Sequence, residues 1–381
     1  MRILIALTYY RPHVSGLTIY AERLARGLVR RGHAVTVLTS RFAAWLPARE
    51  MADGVDVVRV PVALKVSKGV IMPLFPLYAA AFAARHDVVN VHMPQFEAAL
   101  LAGIGRARGR GVVLTYQCDL RLPHGAFNRA VEASLRPLNR LAAAAAHAIV
   151  VTTDDYAQHS AFLSGYGGKL HAIAPPVDLP VPDAALTAEL AARWHLGRGV
   201  RIGFAARFAA EKGVEYLLRA LPAVLDAFPE ARIVFTGAYK DTVGEEEYAQ
   251  HLAPLLEAHR ERLVFLDLLP IEAMPSFYAL CDVVAVTSLN ATEAFGMVQV
   301  EAMLSGTPVV ASDLPGVREP VRRTGMGRIV PPCDPAALAA ALVDVIRNRA
   351  QYVRPRAAVV EQFDLEQSLR AYEALFEQVC G

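Results

Sequence analysis

The sequence predicts an α/β protein built from two parallel-sheet domains, on the strength of three observations. Short apolar strand candidates alternate with helical patterns along the chain, as parallel strands joined by crossover helices require. The segment 174–183, APPVDLPVPD, is dense in proline and interrupts both periodicities. The length of 381 residues exceeds what one core ordinarily serves and suits two domains of roughly 150 to 200 residues.

In the first domain the strand candidates are Ile3 to Leu7, Ala34 to Thr39, Val55 to Val60, Val88 to His92, Val112 to Tyr116 and Ala148 to Val151. The first helix is expected over Thr18 to Arg31, because Tyr20, Leu24 and Leu28 recur on one face and Gly32 supplies a stop. A second series follows the proline-dense segment: Arg201 to Ala206, Arg232 to Thr236, Leu263 to Leu266, Val283 to Thr287 and Pro308 to Ala311. A helix is expected over Gly213 to Phe228. Another, about Leu365 to Val379, is expected to pack back across the linker. The boundaries drawn are 1–178, 179–360 and a C-terminal helix within 361–381. Open parallel sheets bind ligands at the carboxyl ends of their strands, so two such domains facing each other would make a cleft.

Composition narrows the function classes. Hydrophobic residues make up 54% of the chain and charged residues 20%, which leaves little room for disorder. Cys118, Cys281, Cys333 and Cys380 lie far apart, so neither a zinc site nor a disulfide framework is suggested. The opening MRILIALTYYRP reads as a buried strand and lacks a signal-peptide pattern. The apolar stretch Val70 to Ala84 reads as a helix, is too short to span a bilayer and contains Pro73 and Pro76. A cytoplasmic protein is therefore expected.

Charge is unevenly divided. Residues 1–180 carry 20 Lys and Arg against 11 Asp and Glu, while the remainder carries 19 against 26. A basic half suits nucleic acid, an anionic membrane surface or a phosphorylated substrate, and equally suits plain solvated charge.

The segment TEAFGMVQVEAMLSGTPVV is the most specific chemically, with seven residues between Glu293 and Glu301. A helix starting near Phe295 would put Glu293 ahead of it and Glu301 in its second turn. The amides of Phe295, Gly296 and Met297 would then point toward an anion, helped by the helix dipole. Carboxylates beside an anion site suit a hydroxyl-rich neutral ligand, because each carboxylate accepts two hydroxyls in charge-assisted bonds. Two exposed glutamates flanking a helix would show the same spacing.

With its context, that segment resembles the retaining GT-B glycosyltransferases of family four. The resemblance rests on EAFGMVQVE, the following AMLSGTPVVASDLPG, ARFAAEKG, YYRPHVSG with RRGHAVTVLTS, and GRIVPPCDPAALAAAL, and it covers nearly the whole chain. It implies a GT-B architecture of two facing Rossmann-like domains, with an N-terminal acceptor domain and a C-terminal donor domain. It also implies retaining transfer of a hexose from a UDP- or GDP-linked sugar to a hydroxyl acceptor, a cell-envelope glycan or lipid-linked glycan. In this pattern Glu301 binds the donor ribose, Glu293 contacts the transferred sugar, and Phe295, Gly296 and Met297 supply amides. Arg207 and Lys212, in RFAAEK, match the diphosphate-binding pair, and Gly16 matches the second glycine of the N-terminal loop, with Ser15 in place of the first.

The resemblance implies no cofactor beyond the nucleotide sugar. A required metal is not expected either, since no D-x-D is present. The sharpest departure lies in LTYQCDLRLPHG, where many relatives carry a histidine beside the reacting sugar and this chain has Gln117. Glutamine hydrogen-bonds but carries no proton. Asp119 stays in the pattern, either orienting or deprotonating the acceptor or capping its loop; His124 follows, and His92 lines a strand end on the acceptor side. In relatives with lipid-linked acceptors the N-terminal domain touches the membrane, so Lys65, Lys68 and the stretch 70–84 suggest peripheral contact with the inner face of the cell membrane. Nucleic acid is not expected as a partner. Gln117 also leaves room for a non-catalytic donor-binding protein, and the shared fold for a nucleotide-sugar 2-epimerase.

Overall fold

The computed structural model describes residues 1–66, 69–119, 126–197, 199–239 and 245–380. The chain forms two compact units: Met1–Pro176 with Leu365–Gly381, and Val177–Asp364.

The strands of the first unit are β1 (Arg2–Ala6), β2 (Ala34–Arg41), β3 (Arg49–Ala52), β4 (Val55–Pro61), β5 (Leu64–Val66), β6 (Gly69–Ile71), β7 (Val88–Met93), β8 (Gly111–Tyr116), β9 (Ala148–Val151) and β10 (Leu170–Ala172). Eight of them form one sheet in the order β10-β9-β8-β7-β1-β2-β4-β3, with β5 and β6 as a separate hairpin. Pairing is parallel throughout the sheet except at the edge, where β3 runs antiparallel to β4. Strands covered on both faces are mostly apolar on both, and β1, β7 and β8 are accordingly buried almost throughout, with Ile3, Leu4 and Ile5 wholly enclosed and Asn90, His92 and Thr115 as polar exceptions. The helix Leu365–Cys380 belongs to this unit: Tyr372 meets Tyr20 hydroxyl to hydroxyl at 2.7 Å, and Arg31 reaches Glu366 at 2.8 Å and Glu373 at 2.6 Å.

The second unit holds β11 (Arg201–Ala205), β12 (Arg232–Thr236), β13 (Leu263–Phe265), β14 (Val283–Val286), β15 (Val309–Ser312) and β16 (Gly327–Val330), all parallel, in the order β13-β12-β11-β14-β15-β16. Its core packs Ile202, Phe204, Phe235, Val283 and Val310 beneath the helices Val214–Ala227 and Pro335–Arg347.

In each sheet the first strand is central and the order reverses around it: β1 between β7 and β2, β11 between β14 and β12. The crossovers leave opposite faces there, which opens a crevice at the strands' carboxyl ends. Two expectations are corrected. The stretch 70–84 is not one helix: Gly69–Ile71 is β6 and the helix is only Phe75–Ala83, opened by Pro76 in its first turn, where a missing amide costs nothing. The first helix starts earlier, at Gly16, because Ser15 caps it by accepting the Thr18 amide at 3.2 Å.

Candidate active site

In the second unit the loops after β11 and β14 meet at the reversal of strand order. The loop after β11 carries Arg207 and closes in the turn Ala210–Lys212. The loop after β14 carries Glu293 and leads into the helix Met297–Leu304. Backbone contacts hold the two together: Leu289 N–H donates to the Glu211 carbonyl at 2.9 Å, and the Thr287 hydroxyl donates to the Lys212 carbonyl at 2.7 Å. Gly213 makes this approach possible. It sits at φ +62°, and a Cβ there would lie 2.4 Å from the Thr287 carbonyl oxygen. Lys212 and Glu293, 81 residues apart, consequently form an ion pair, with the Ser288 hydroxyl 3.5 Å from the same glutamate oxygen.

Arg207 is placed by a second close approach. Gly237, at φ +125°, lies against the backbone of the β11 loop, and a Cβ there would fall 2.5 Å from the Ala206 carbonyl oxygen. The Arg207 guanidinium pairs with Glu211 and lies 3.6 Å from the nearly buried Glu245, whose other oxygen accepts the Ala210 amide at 3.0 Å. Each cation of the expected diphosphate pair is therefore held by carboxylates. Glu301 lies in the second turn of Met297–Leu304, only 6% exposed, and accepts the Tyr278 hydroxyl at 2.7 Å. Phe295 is buried edge-on against Phe363, while Gly296 precedes the first residue of the helix, Met297. Amides at this end have no intrahelical acceptor.

The segments after β12 and β13 are aromatic: Tyr239 lies 4.5 Å from Phe265, ring to ring, and its hydroxyl donates to Asp267 at 2.8 Å. Asp267 stands at φ +57°, a conformation aspartate tolerates better than most side chains, and its carbonyl accepts the Gly237 amide at 3.0 Å. Lys68 and His124 lie outside the described residues.

The first-unit candidates gather at the corresponding strand ends. Gly16 is exposed in the first turn of its helix. Gln117 follows β8, its amide held by the Met93 carbonyl at 3.1 Å and its side-chain nitrogen 3.3 Å from His92 Nδ1. His92 is wholly enclosed, with Nε2 3.0 Å from Asn90 Oδ1 and Nδ1 3.3 Å from the Gln117 side-chain nitrogen, so both ring nitrogens are engaged by protein groups and neither is free for a substrate hydroxyl. Burial lowers its pKa to about 3, leaving it neutral. Asp119 is anchored through one oxygen by the hydroxyls of Tyr116 at 2.7 Å and Ser160 at 2.9 Å, and its amide donates to the Tyr156 hydroxyl at 2.5 Å.

Comparison with known proteins decides the family. A profile described as Glycosyl transferase 4-like domain matches residues 15–176, and one described as Glycosyl transferases group 1 matches residues 199–348. The chain belongs to the group 1 glycosyltransferases. A phosphatidyl-myo-inositol mannosyltransferase of Mycobacterium leprae is 34% identical over 54% of this chain and 54% of its own length, so the match spans about half of that relative. A D-inositol 3-phosphate glycosyltransferase of Xylanimonas cellulosilytica is 29% identical over 95% of this chain and 91% of its own. Among solved structures, Anabaena HepE in complex with UDP-glucose has a TM-score of 0.78 at 21% identity, covering 98% of this chain and 99% of that one. The fold class is thus GT-B.

For this group 1 glycosyltransferase, motif reading located the charged residues but missed what holds them. Tyr278 on Glu301 and Glu245 on Arg207 lie far from their partners in sequence and carry no local signal, whereas Asn90 stands two residues before His92 on the same strand and was open to a period-two reading. Glu211 was inside the quoted RFAAEK and could have been found there, four residues after Arg207.

Proposed function

We propose that this protein transfers a hexose from a UDP- or GDP-linked sugar to a hydroxyl acceptor with retention at the anomeric carbon. The observation that carries this is the convergence of Lys212 and Glu293 beside Arg207 at the reversal of strand order, with Glu301 in the adjoining helix. Lys212 and Arg207 exchange their carboxylates for the donor diphosphate. The freed Glu293 and the buried Glu301 then accept hydroxyls of the sugar and the ribose.

As the bond between the anomeric carbon and the phosphate oxygen breaks, negative charge grows on the leaving diphosphate. A cation at ~4 Å contributes about 4 kcal/mol at an effective dielectric of 20. These two cations supply the charge that a metal ion supplies in other transferases, so turnover is expected without one. The acceptor oxygen bonds to the anomeric carbon on the face the diphosphate leaves, and its proton passes to the departing phosphate oxygen.

The identities of the relatives point to an inositol-containing or lipid-linked acceptor of the cell envelope. Among the described residues no helix is long and apolar enough to cross a membrane. Leu64, Ile71, Leu74 and Leu77 are exposed on the β5–β6 hairpin and the helix after it, beside Lys65, and suit shallow contact with an anionic surface. A thermal-shift screen of UDP- and GDP-sugars tests the donor reading. The right donor at 100 times its dissociation constant stabilises by about 2.7 kcal/mol, and a flat response across both series refutes it.

A further inference from the structure

Behind Gln117 runs a chain of buried polar groups whose directions are fixed by elementary chemistry. The Val113 carbonyl is a backbone group and can only accept, so the Asn90 side-chain atom 3.2 Å from it is the amide nitrogen, which also donates to Thr115 Oγ1 at 2.9 Å. Asn90 Oδ1 therefore faces His92, and the ring nitrogen 3.0 Å away, Nε2, must carry hydrogen. Asn90 and His92 are wholly enclosed and Thr115 nearly so, and the chain continues from Thr115 Oγ1 to Tyr372 at 3.1 Å and on to Tyr20 at 2.7 Å.

A neutral imidazole with hydrogen on Nε2 has a bare Nδ1. That lone pair accepts, so the Gln117 atom lying 3.3 Å from it is the amide nitrogen and the carbonyl oxygen is turned the other way. Burial keeps the ring neutral across the physiological range. The Tyr20 ring stands edge-on to His92 at 5.6 Å and closes the site from the side of the helix Gly16–Arg30. Among the described residues no donor meets Gln117 Oε1.

We propose that His92 is a positioning residue that holds the Gln117 amide nitrogen, so that the Gln117 carbonyl oxygen is presented to the ligand as an acceptor for a sugar hydroxyl. This point of the site reads a hydroxyl and disfavours a group that can only accept. The ligand half of the inference rests on the reading of the chain as a nucleotide-sugar transferase; the orientation of Gln117 does not.

Nitrogen NMR of the full chain labelled with 15N-histidine tests the orientation. The His92 signals are identified by their loss in His92→Phe or, should that variant not fold, by their displacement in Gln117→Met. The expected spectrum has protonated Nε2 and bare Nδ1, unchanged from about pH 5 to 8. Hydrogen on Nδ1, or titration of His92 in that range, overturns the assignment.

The ligand half is read in the hydrolysis of UDP-glucose or GDP-mannose, whichever raises the Tm. Gln117→Met is expected to lower kcat about tenfold, the loss of one hydrogen bond. Gln117→Glu keeps an outward oxygen but sets a carboxylate against the bare Nδ1, so a proton is taken up between them and the pH profile of the rate is displaced from that of the wild type. Unchanged kcat in Gln117→Met overturns the ligand half. A protein that binds neither nucleotide sugar sinks the proposed function instead, and the nitrogen spectrum alone then upholds or overturns the role of His92.

Discussion

Replacing Glu301 separates a ligand-binding carboxylate from a structural one, because the residue has a visible structural partner. Its side chain is 6% exposed and accepts the hydroxyl of the wholly enclosed Tyr278 at 2.7 Å. Glu301→Ala removes that acceptor, which costs about 1 to 3 kcal/mol of stability and lowers the Tm whatever the function. It also removes a carboxylate that would take two ribose hydroxyls, each bond contributing ~1.5 kcal/mol or more, so nucleotide affinity should fall about 100-fold. Glu301→Gln distinguishes the two effects. Its amide oxygen still accepts from Tyr278, leaving the Tm nearly unchanged, while its NH2 group cannot accept from a hydroxyl and the charge is gone; the affinity loss should be at least about tenfold. Titration calorimetry with UDP and GDP reads the ribose contact without involving the sugar. If both variants bind nucleotide as wild type does and only Glu301→Ala melts early, Glu301 serves Tyr278 and the ribose assignment is wrong.

Three further outcomes follow from the geometry. Gly237→Ala sets a Cβ 2.5 Å from the Ala206 carbonyl at φ +125°, so the Arg207 loop shifts; a stability loss of about 1 to 3 kcal/mol and weaker binding of diphosphate than of nucleoside are expected by denaturant melts and calorimetry. His92 is neutral when folded, with a pKa of about 3, and takes a proton near pH 6.5 when unfolded, so the stability it contributes is full above about pH 6.5 and is lost as pH falls toward its folded value. Between about pH 6.5 and 5 this amounts to about 2 kcal/mol in urea melts, and His92→Phe should flatten that slope. Vesicles rich in anionic lipid should sediment the protein at low salt and release it at high salt, and Leu74→Ser with Leu77→Ser should abolish retention; equal sedimentation of the double variant rejects this surface.

The parts of the fold that were legible are those where burial dictates composition. Parallel strands covered on both faces read as near-continuous apolar runs, so Ala148–Val151 and Arg232–Thr236, the latter flanked by its own Arg and Thr, were bounded to the residue. Edge elements were not legible. β3, REMA, is a charged edge strand, and β5, β6, β10 and β16 are runs of three or four residues with too few side chains to show a period. The stretch 70–84 misled because uniform apolarity suits a strand end and a helix alike, and Pro73 with Pro76 marked the break.

At the site, chemistry-bearing residues stood out when they were charged and inside a motif, as Lys212 and Glu293 were. Their pairing was not visible, because it depends on β11 and β14 being neighbours although β12, β13 and their helices lie between them in sequence. Gln117 was noticed as a departure, but its support by His92 comes from the next strand, and a histidine amid valines reads equally as lining or ligand.

In the proposed reaction Lys212 and Arg207 receive the diphosphate of a nucleotide sugar and drive its release. Nucleotide release from the donor that raises the Tm, followed in the presence of envelope lipid extract and EDTA, tests it most directly. Release is expected to depend on the extract, to persist in EDTA and to fall about 100-fold or more in Lys212→Ala. Release that stops in EDTA, or that is unchanged in Lys212→Ala, would contradict it.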